Sequence, residues 1–180
     1  MKVFVFLADG FEEIEGLTVV DLLRRAQIET ITVSINDTKQ VVGSHKIPVI
    51  ADVIFDEIKE EKADMVVLPG GMPGTLNLKE HKGVESMILS NYHEDRYIAA
   101  ICAAPSVFAE LGLLDGKTAT SYPSFEEALG KSNYVYDKVA VDGKIITSRG
   151  LGTAIEFAGK MIEILKDKKT ADNVLESIVH

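Results

Sequence analysis

Apolar residues in this chain fall into short solid blocks separated by stretches of helical spacing, and the two patterns alternate from end to end. Val3–Leu7 is β-branched and aromatic, and Asp9-Gly10 closes it, which predicts a buried strand and a turn. Residues 11–26 read as a helix ending in Arg24-Arg25, cations that suit a helix C-terminus. Thr30–Ile35 is the next strand, stopped by Asn36-Asp37, and Val41–Ile50 reads as a hairpin-like excursion punctuated by Gly43 and Pro48. Asp64–Leu68 is a third buried strand, running into Pro69-Gly70-Gly71, and a helix follows around residues 80–91.

The second half repeats the logic. Ile98–Ile101 is a strand; from Ala103 the spacing turns helical, with Val107 and Leu111 on one face and Gly112 as the stop. Pro105 is tolerated because a first helical turn has no internal use for its N–H. Short strands are predicted at Val135–Tyr136, Lys138–Val141 and Ile145–Thr147, the last after an Asp142-Gly143 turn. Ser148–Gly152 then opens a helix over about 153–166, and residues 170–179 add a turn or two. Solid strands alternating with helices predict a mostly parallel sheet with helices on both faces. The expected class is a flavodoxin-like α/β three-layer sandwich, one domain over residues 1–180 with no linker or repeat.

Composition narrows the function. An apolar fraction of 46% supplies a full core, and a net charge of −9 argues against nucleic acid or an anionic membrane as partner. A single cysteine excludes an internal disulfide framework and fits a reducing compartment. Met1-Lys2 leads straight into the first strand, so no signal peptide is expected, and no apolar run approaches a membrane span. The expectation is a soluble cytoplasmic protein.

That cysteine, Cys102, sits at the hinge between strand and helix with Ala99, Ala100, Ala103 and Ala104 around it. A nucleophile at such an apex, with small neighbours, is the logic of the nucleophile elbow. The helix N-terminus is expected to lower the thiol pKa. Ligands in open sheets of this kind bind at the carboxyl ends of the strands. Asp9–Glu15, Pro69–Gly74, Cys102 and Ser148–Gly152 are therefore expected to converge.

On the first helix Glu15 shares a stripe with Val19, Leu22 and Ala26, so its carboxyl is expected to be buried with a raised pKa. Glu13 is expected on the opposite side, with Glu12 and Glu13 complementing the helix dipole. Leu17 and Val20 form a second apolar strip that predicts packing against a partner subunit. Gly70-Gly71 offers bare N–H groups that can hold an oxyanion. Arg149-Gly-Leu-Gly fits neither a Walker nor a dinucleotide pattern. His45, His81, His93 and His180 fall in segments read as loop or surface, none placed near Cys102. No cluster has metal-ligand spacing, and no metal or cofactor is expected.

Four stretches taken together, Ala8-Asp-Gly-Phe-Glu-Glu-Ile-Glu15, Val66-Val-Leu-Pro-Gly-Gly71, Ala99-Ala-Ile-Cys-Ala-Ala-Pro105 and Thr147-Ser-Arg-Gly-Leu-Gly-Thr153, resemble the ThiJ/PfpI superfamily. The nearest branch is that of the Parkinson's-disease deglycase and redox chaperone, and the likeness runs in order over essentially the whole chain. The resemblance implies a flavodoxin-like homodimer. Cys102 would be the reactive cysteine, open to oxidation to a sulfinic acid. Glu15 would be the acid bonded to it, with the amides of Gly71 and Ala103 as oxyanion donors. Arg25 would match a dimer-seam arginine, and His45 stands where the human-type pattern has another. Tyr122 occupies the place of a histidine near the cysteine in better-known members, and Ala103 that of a histidine in the branch with proteolytic claims.

The function so implied is a cofactor-independent glyoxalase or deglycase acting on small α-oxoaldehydes such as methylglyoxal and glyoxal, or on early glycation adducts. The alternative is an oxidative-stress sensor or chaperone working through oxidation of Cys102. A cysteine peptidase ranks third, because no base is evident beside the nucleophile.

Overall fold

The computed structural model describes residues 1–180. Its elements follow the alternation in the sequence: β1 (Lys2–Leu7), α1 (Glu13–Arg25), β2 (Glu29–Ser34), a hairpin of β3 (Gln40–Val42) and β4 (Pro48–Ile50), then β5 (Val53–Ile54) and α2 (Phe55–Ile58). Next come β6 (Met65–Leu68), α3 (Gly74–Glu80), α4 (Lys82–His93), β7 (Tyr97–Ile101) and α5 (Pro105–Glu110). The chain closes with β8 (Thr118–Ala119), β9 (Asn133–Tyr134), β10 (Val139–Asp142), β11 (Ile145–Ser148), α6 (Ala154–Leu165) and α7 (Lys168–Ser177).

Seven strands make one sheet in the order β10-β11-β7-β6-β1-β2-β5. Every neighbouring pair is parallel except the β10–β11 hairpin, turned at Gly143 with φ 60°. Both faces are covered, which explains the solid apolar strands. In β1, Val3, Val5 and Leu7 enter the core shared with α1 and α6, while Phe4 and Phe6 enter the core on the other face. This is the expected α/β sandwich. No helix is long and apolar enough to cross a membrane.

From β1 the chain runs out to β2 on one side and returns to β6 on the other. The topology therefore switches between β1 and β6, and the crevice outside their carboxyl ends is where such sheets bind ligands.

Several local expectations shift. Residues 74–80 form α3, a helix with no apolar period strong enough to announce it, and Phe55–Ile58 a single turn. Ala103 and Ala104 lie in the turn before α5, which starts at Pro105. Tyr136 lies past β9, which ends at Tyr134. The expected outward strip on α1 is only half there. Leu17 is partly exposed, but Val20 is 7% exposed and packs into this chain's own core. A 13-residue helix lying against both the sheet and α6 buries more than a single stripe.

Candidate active site

Cys102 sits one residue past β7 with φ 66°, left-handed backbone that a residue with a Cβ rarely adopts. Two backbone bonds hold it there: its N–H donates to the Ser148 carbonyl at 3.0 Å, and its carbonyl accepts the Tyr122 N–H at 2.9 Å. Adjacent β11 thus clamps the elbow from one side and the segment after β8 from the other. The thiol is left partly exposed at the carboxyl end of the sheet.

Glu15 reaches it from the first turns of α1. Glu12 is the N-cap, its Oε2 accepting the Glu15 N–H at 2.8 Å, and this fixes the register that turns Glu15 inward. The Glu15 side chain is 1% exposed, as its apolar stripe predicts, and Oε2 accepts the Gly70 N–H at 3.0 Å. Burial pushes its carboxyl up to about 7, with the Glu12 charge adding to the rise. The Cys102 thiol and the N–H groups of Gly70 and Leu151 pull the other way.

Gly70 is the spacer. A Cβ there would stand 2.6 Å from Cys102 Cβ and 2.7 Å from Glu15 Oε2. Gly71, at φ 90°, turns the backbone so that its N–H faces the Cys102 sulfur from one side while the Ala103 N–H faces it from another. Neither amide donates to a backbone carbonyl. Cys102, Glu15, Gly71 and Ala103 therefore meet in one place.

The expectation of a thiol lowered by a helix N-terminus is corrected. Burial, then the charge and hydrogen bond of Glu15, push Cys102 up to about 12, against the two amides. Helix α5 has only six residues, and the buried Glu15 carboxyl is a hydrogen-bond partner of the sulfur. Sulfur and carboxyl act as a pair in which the acidic proton belongs to both, and Glu15 governs its loss.

Glu13 does more than complement the helix dipole: it is 2% exposed, folded onto the β3–β4 turn. Its carboxylate accepts the His45 N–H at 2.7 Å, meets His45 Nδ1 at 2.9 Å and accepts from Ser44 Oγ at 3.3 Å. Burial pushes Glu13 up, but the bonds from His45 outweigh it and hold the carboxyl at about 2. Glu13 also raises the His45 pKa, first through its hydrogen bond. Glu12, Glu13 and His45 bring donor atoms within 4.8 Å of one another, yet capping and these bonds account for all three.

The other histidines lie elsewhere. His81, read as surface, caps α4 by accepting the Val84 N–H on Nδ1 at 3.1 Å and rests against the Phe55 ring. His93 contacts Tyr92, and His180 faces Glu156. Arg25 is bonded to Asp21 within α1. Tyr122 is 49% exposed with no partner for its hydroxyl, and its ring lies beside Gly150, at 3.4 Å from where a Cβ would be. It lines the rim and brings no base. The stretch Ser148–Gly152 is expected here from the sequence, but not the part played by Leu151, which is that of a backbone N–H and leaves no trace in residue type.

A cysteine at a strained strand-to-helix apex, with a buried carboxyl beside it at the switch point of a parallel sheet, defines a class of α/β protein organised around one thiol. The chain belongs to the DJ-1/PfpI family, whose family model matches residues 1–164. It is 40% identical to Protein dj-1beta of Drosophila melanogaster over 177 residues, covering 97% of this chain and 95% of that protein. It is 28% identical to the glutathione-independent glyoxalase DJR-1.2 of Caenorhabditis elegans over 169 residues, 93% of this chain and 89% of that one. The structure of oxidized Toxoplasma gondii DJ-1 superposes with a TM-score of 0.97 at 36% identity, covering 99% of this chain and 98% of that one. The chain spans less than half of two plant relatives, 45% of Arabidopsis thaliana DJ-1 homolog A and 37% of homolog B.

Proposed function

We propose that this protein is a cofactor-independent glyoxalase acting on small α-oxoaldehydes. The observation that carries the reading is the Glu15 carboxyl, 1% exposed and set against the Cys102 thiol, where burial raises its pKa. A base titrating near the working pH combines availability with driving force for proton transfer. The glyoxalase name of the Caenorhabditis relative supports the same chemistry.

In the proposed reaction Cys102 Sγ attacks the aldehyde carbon of methylglyoxal, and the thiol proton passes through Glu15 to the former aldehyde oxygen, giving a hemithioacetal. Glu15, again a carboxylate, takes the hydrogen from that carbon as a proton and returns it to the neighbouring carbon. The electron pair moves through an enediol while the hydroxyl proton of the hemithioacetal passes to the former ketone oxygen, so the ketone is reduced to an alcohol and the hemithioacetal carbon oxidised to a thioester. The Gly71 and Ala103 N–H groups hold the oxygen on which negative charge develops. Water then cleaves the thioester to lactate and restores the thiol. No external oxidant or reductant is needed, and deglycation would be the same attack on an early glycation adduct.

Turnover of methylglyoxal to lactate without glutathione tests this, in wild type, Cys102→Ala and Glu15→Gln. Turnover abolished by both substitutions supports the roles; no turnover by wild type with an intact reduced thiol overturns them.

A second reading, redox sensing, draws on the same two amides and carboxyl, which would equally stabilise the oxygens of a sulfinate on Cys102. Uptake of two oxygen atoms under mild peroxide, with altered partner binding, is its signature. We further infer a homodimer through the exposed side of α1, where Ile14 is 48% exposed and Leu17 partly so.

A further inference from the structure

The loop after β11 is closed by one hydroxyl. Thr153 Oγ1 accepts the Gly150 N–H at 3.1 Å and the Arg149 N–H at 3.3 Å. It donates to the Gly150 carbonyl at 2.9 Å and lies 2.7 Å from Ser148 Oγ. Ser148 Oγ gives its only proton to the Lys138 carbonyl at 2.7 Å, so the single Thr153 proton is shared between the Gly150 carbonyl and Ser148 Oγ. These bonds tie the loop amides to Thr153, and Thr153 both to its own loop and, through Ser148, to the backbone entering β10.

What this knot holds is the part of the backbone that touches the site. The Ser148 carbonyl takes the Cys102 N–H at 3.0 Å. Gly150 passes over the carboxyl, its Cβ position 3.8 Å from Glu15 Oε1, and the next amide, Leu151 N–H, approaches the same carboxyl. Thr153 has no hydrogen bond to Cys102 or Glu15. Its influence runs only through the loop.

We propose that Thr153 is a positioning residue for the Cys102–Glu15 pair, holding residues 148–151 so that the Ser148 carbonyl keeps the Cys102 N–H and Gly150 stays against the Glu15 carboxyl. The kinetic consequence rests on the glyoxalase reading; the test below does not. The Leu151 N–H carried by that loop favours the carboxylate over the neutral acid, so releasing it makes the pair hold its first proton to higher pH. The proton that remains is shared between carboxylate and sulfur, so a first step in Cys102 alkylation follows the same midpoint, well below the rise of the fully ionised thiolate.

The experiment is the pH dependence of Cys102 alkylation by iodoacetamide, followed by intact mass, in wild type, Thr153→Val and Thr153→Ser. Wild type is expected to show a midpoint near the Glu15 value of about 7. Thr153→Val, equal in shape but unable to accept or donate, is expected to move it upward by about one unit, the size of one hydrogen bond to a charged group. Thr153→Ser keeps the hydroxyl and is expected to restore the wild-type midpoint. A Thr153→Val variant with a normal melting curve and an unmoved midpoint overturns the proposal, as does Thr153→Ser displaced as far as Thr153→Val. Should Thr153→Val fail to fold, Ser148→Ala, which cuts the link from Thr153 to the backbone entering β10 and leaves it only the Gly150 carbonyl as acceptor, is expected to shift the midpoint the same way by less; an unmoved midpoint there is equally fatal. Because alkylation needs no methylglyoxal turnover, failure of the glyoxalase reading leaves this result decisive.

Discussion

Gly70 donates its N–H to Glu15 Oε2 at 3.0 Å, and its missing side chain is the space in which that carboxyl meets Cys102. An added methyl would stand 2.6 Å from Cys102 Cβ, 2.7 Å from Glu15 Oε2 and 2.9 Å from the Ile101 carbonyl oxygen. Glu15 Oε2 could swing aside, but Cys102 Cβ and the Ile101 carbonyl oxygen are fixed to the main chain, so the backbone must give way. Gly70→Ala is expected to lose about 1–3 kcal/mol of stability, the usual range for overpacking. Methylglyoxal turnover should fall at least about tenfold as the pair is pushed apart, since small misplacements of reacting groups are costly. Thermal unfolding and turnover measured together check this; wild-type values for both would mean that the pair has slack.

Glu15 has its own signature in pH. Its carboxyl is raised from 4.5 to about 7, so between those values the folded chain keeps a proton that the unfolded chain has lost. Stability therefore falls as pH rises from about 4.5 through 7, and above that the buried carboxylate is a net burden of roughly 1–3 kcal/mol. Glu15→Gln is expected to be more stable than wild type in mild alkali, nearly equal in acid, and inactive toward methylglyoxal. Denaturant unfolding in the two conditions decides it. A glutamine variant less stable than wild type in alkali would show that the carboxylate is stabilising after all.

These two residues mark how far the sequence could be read. Glu15 was legible because a helix repeats every 3.6 residues, and an acid in register with Val19 and Leu22 has to go inside. Cys102 was legible because a solid strand runs directly into a helix start, and the fold class followed from the same alternation. The thiol's electrostatics were not legible. They depend on Glu15 lying against the sulfur from 87 positions away, since 102 minus 15 is 87, and no local pattern carries that. The partner of Glu13 was not legible for a related reason: it is the hairpin turn at Ser44 and His45, a tertiary contact that helix periodicity does not announce. Val20 went into the core because α6 closes over α1, again a matter of what packs where.

The Glu13–His45 contact ties the hairpin to α1 and should be strongest in mild acid. Glu13 is depressed from 4.5 to about 2, so its contribution is present above 4.5 and lost as pH falls toward 2. His45 is raised above 6.5, so its contribution is complete below that and lost as pH climbs through the raised value. The two overlap between about 4.5 and 6.5. His45→Ala is accordingly expected to lower Tm more at a pH inside that window than in mild alkali. Glu13→Gln should lower it in both. His45→Ala with the wild-type Tm at both pH values would place the worth of this contact in the His45 backbone N–H alone, since alanine keeps that donor.

Tyr122 offers a control. Its hydroxyl has no partner and the ring is 49% exposed, so Tyr122→Phe is expected to leave turnover and the Cys102 alkylation midpoint within about twofold of wild type. Larger changes in either would give the hydroxyl a part in the chemistry that the geometry does not assign to it.

Leu17 and Val20 lie three positions apart on α1 yet face different environments, and this separates folding from association. Val20 is buried in this chain's own core, so Val20→Ala should cost about 1–3 kcal/mol of stability through a cavity and leave the oligomeric state alone. Leu17 is partly exposed beside Ile14, which is 48% exposed, on the face inferred to meet a second subunit. A carboxylate at Leu17 would be buried without a counter-charge at such an interface, a burden that association could not absorb. Leu17→Asp is therefore expected to be monomeric at concentrations where wild type and Val20→Ala sediment as dimers. Sedimentation velocity over a dilution series checks it. Wild type monomeric at low micromolar concentration would remove the interface, and dimers of Leu17→Asp as tight as wild type would place it on another face of the molecule.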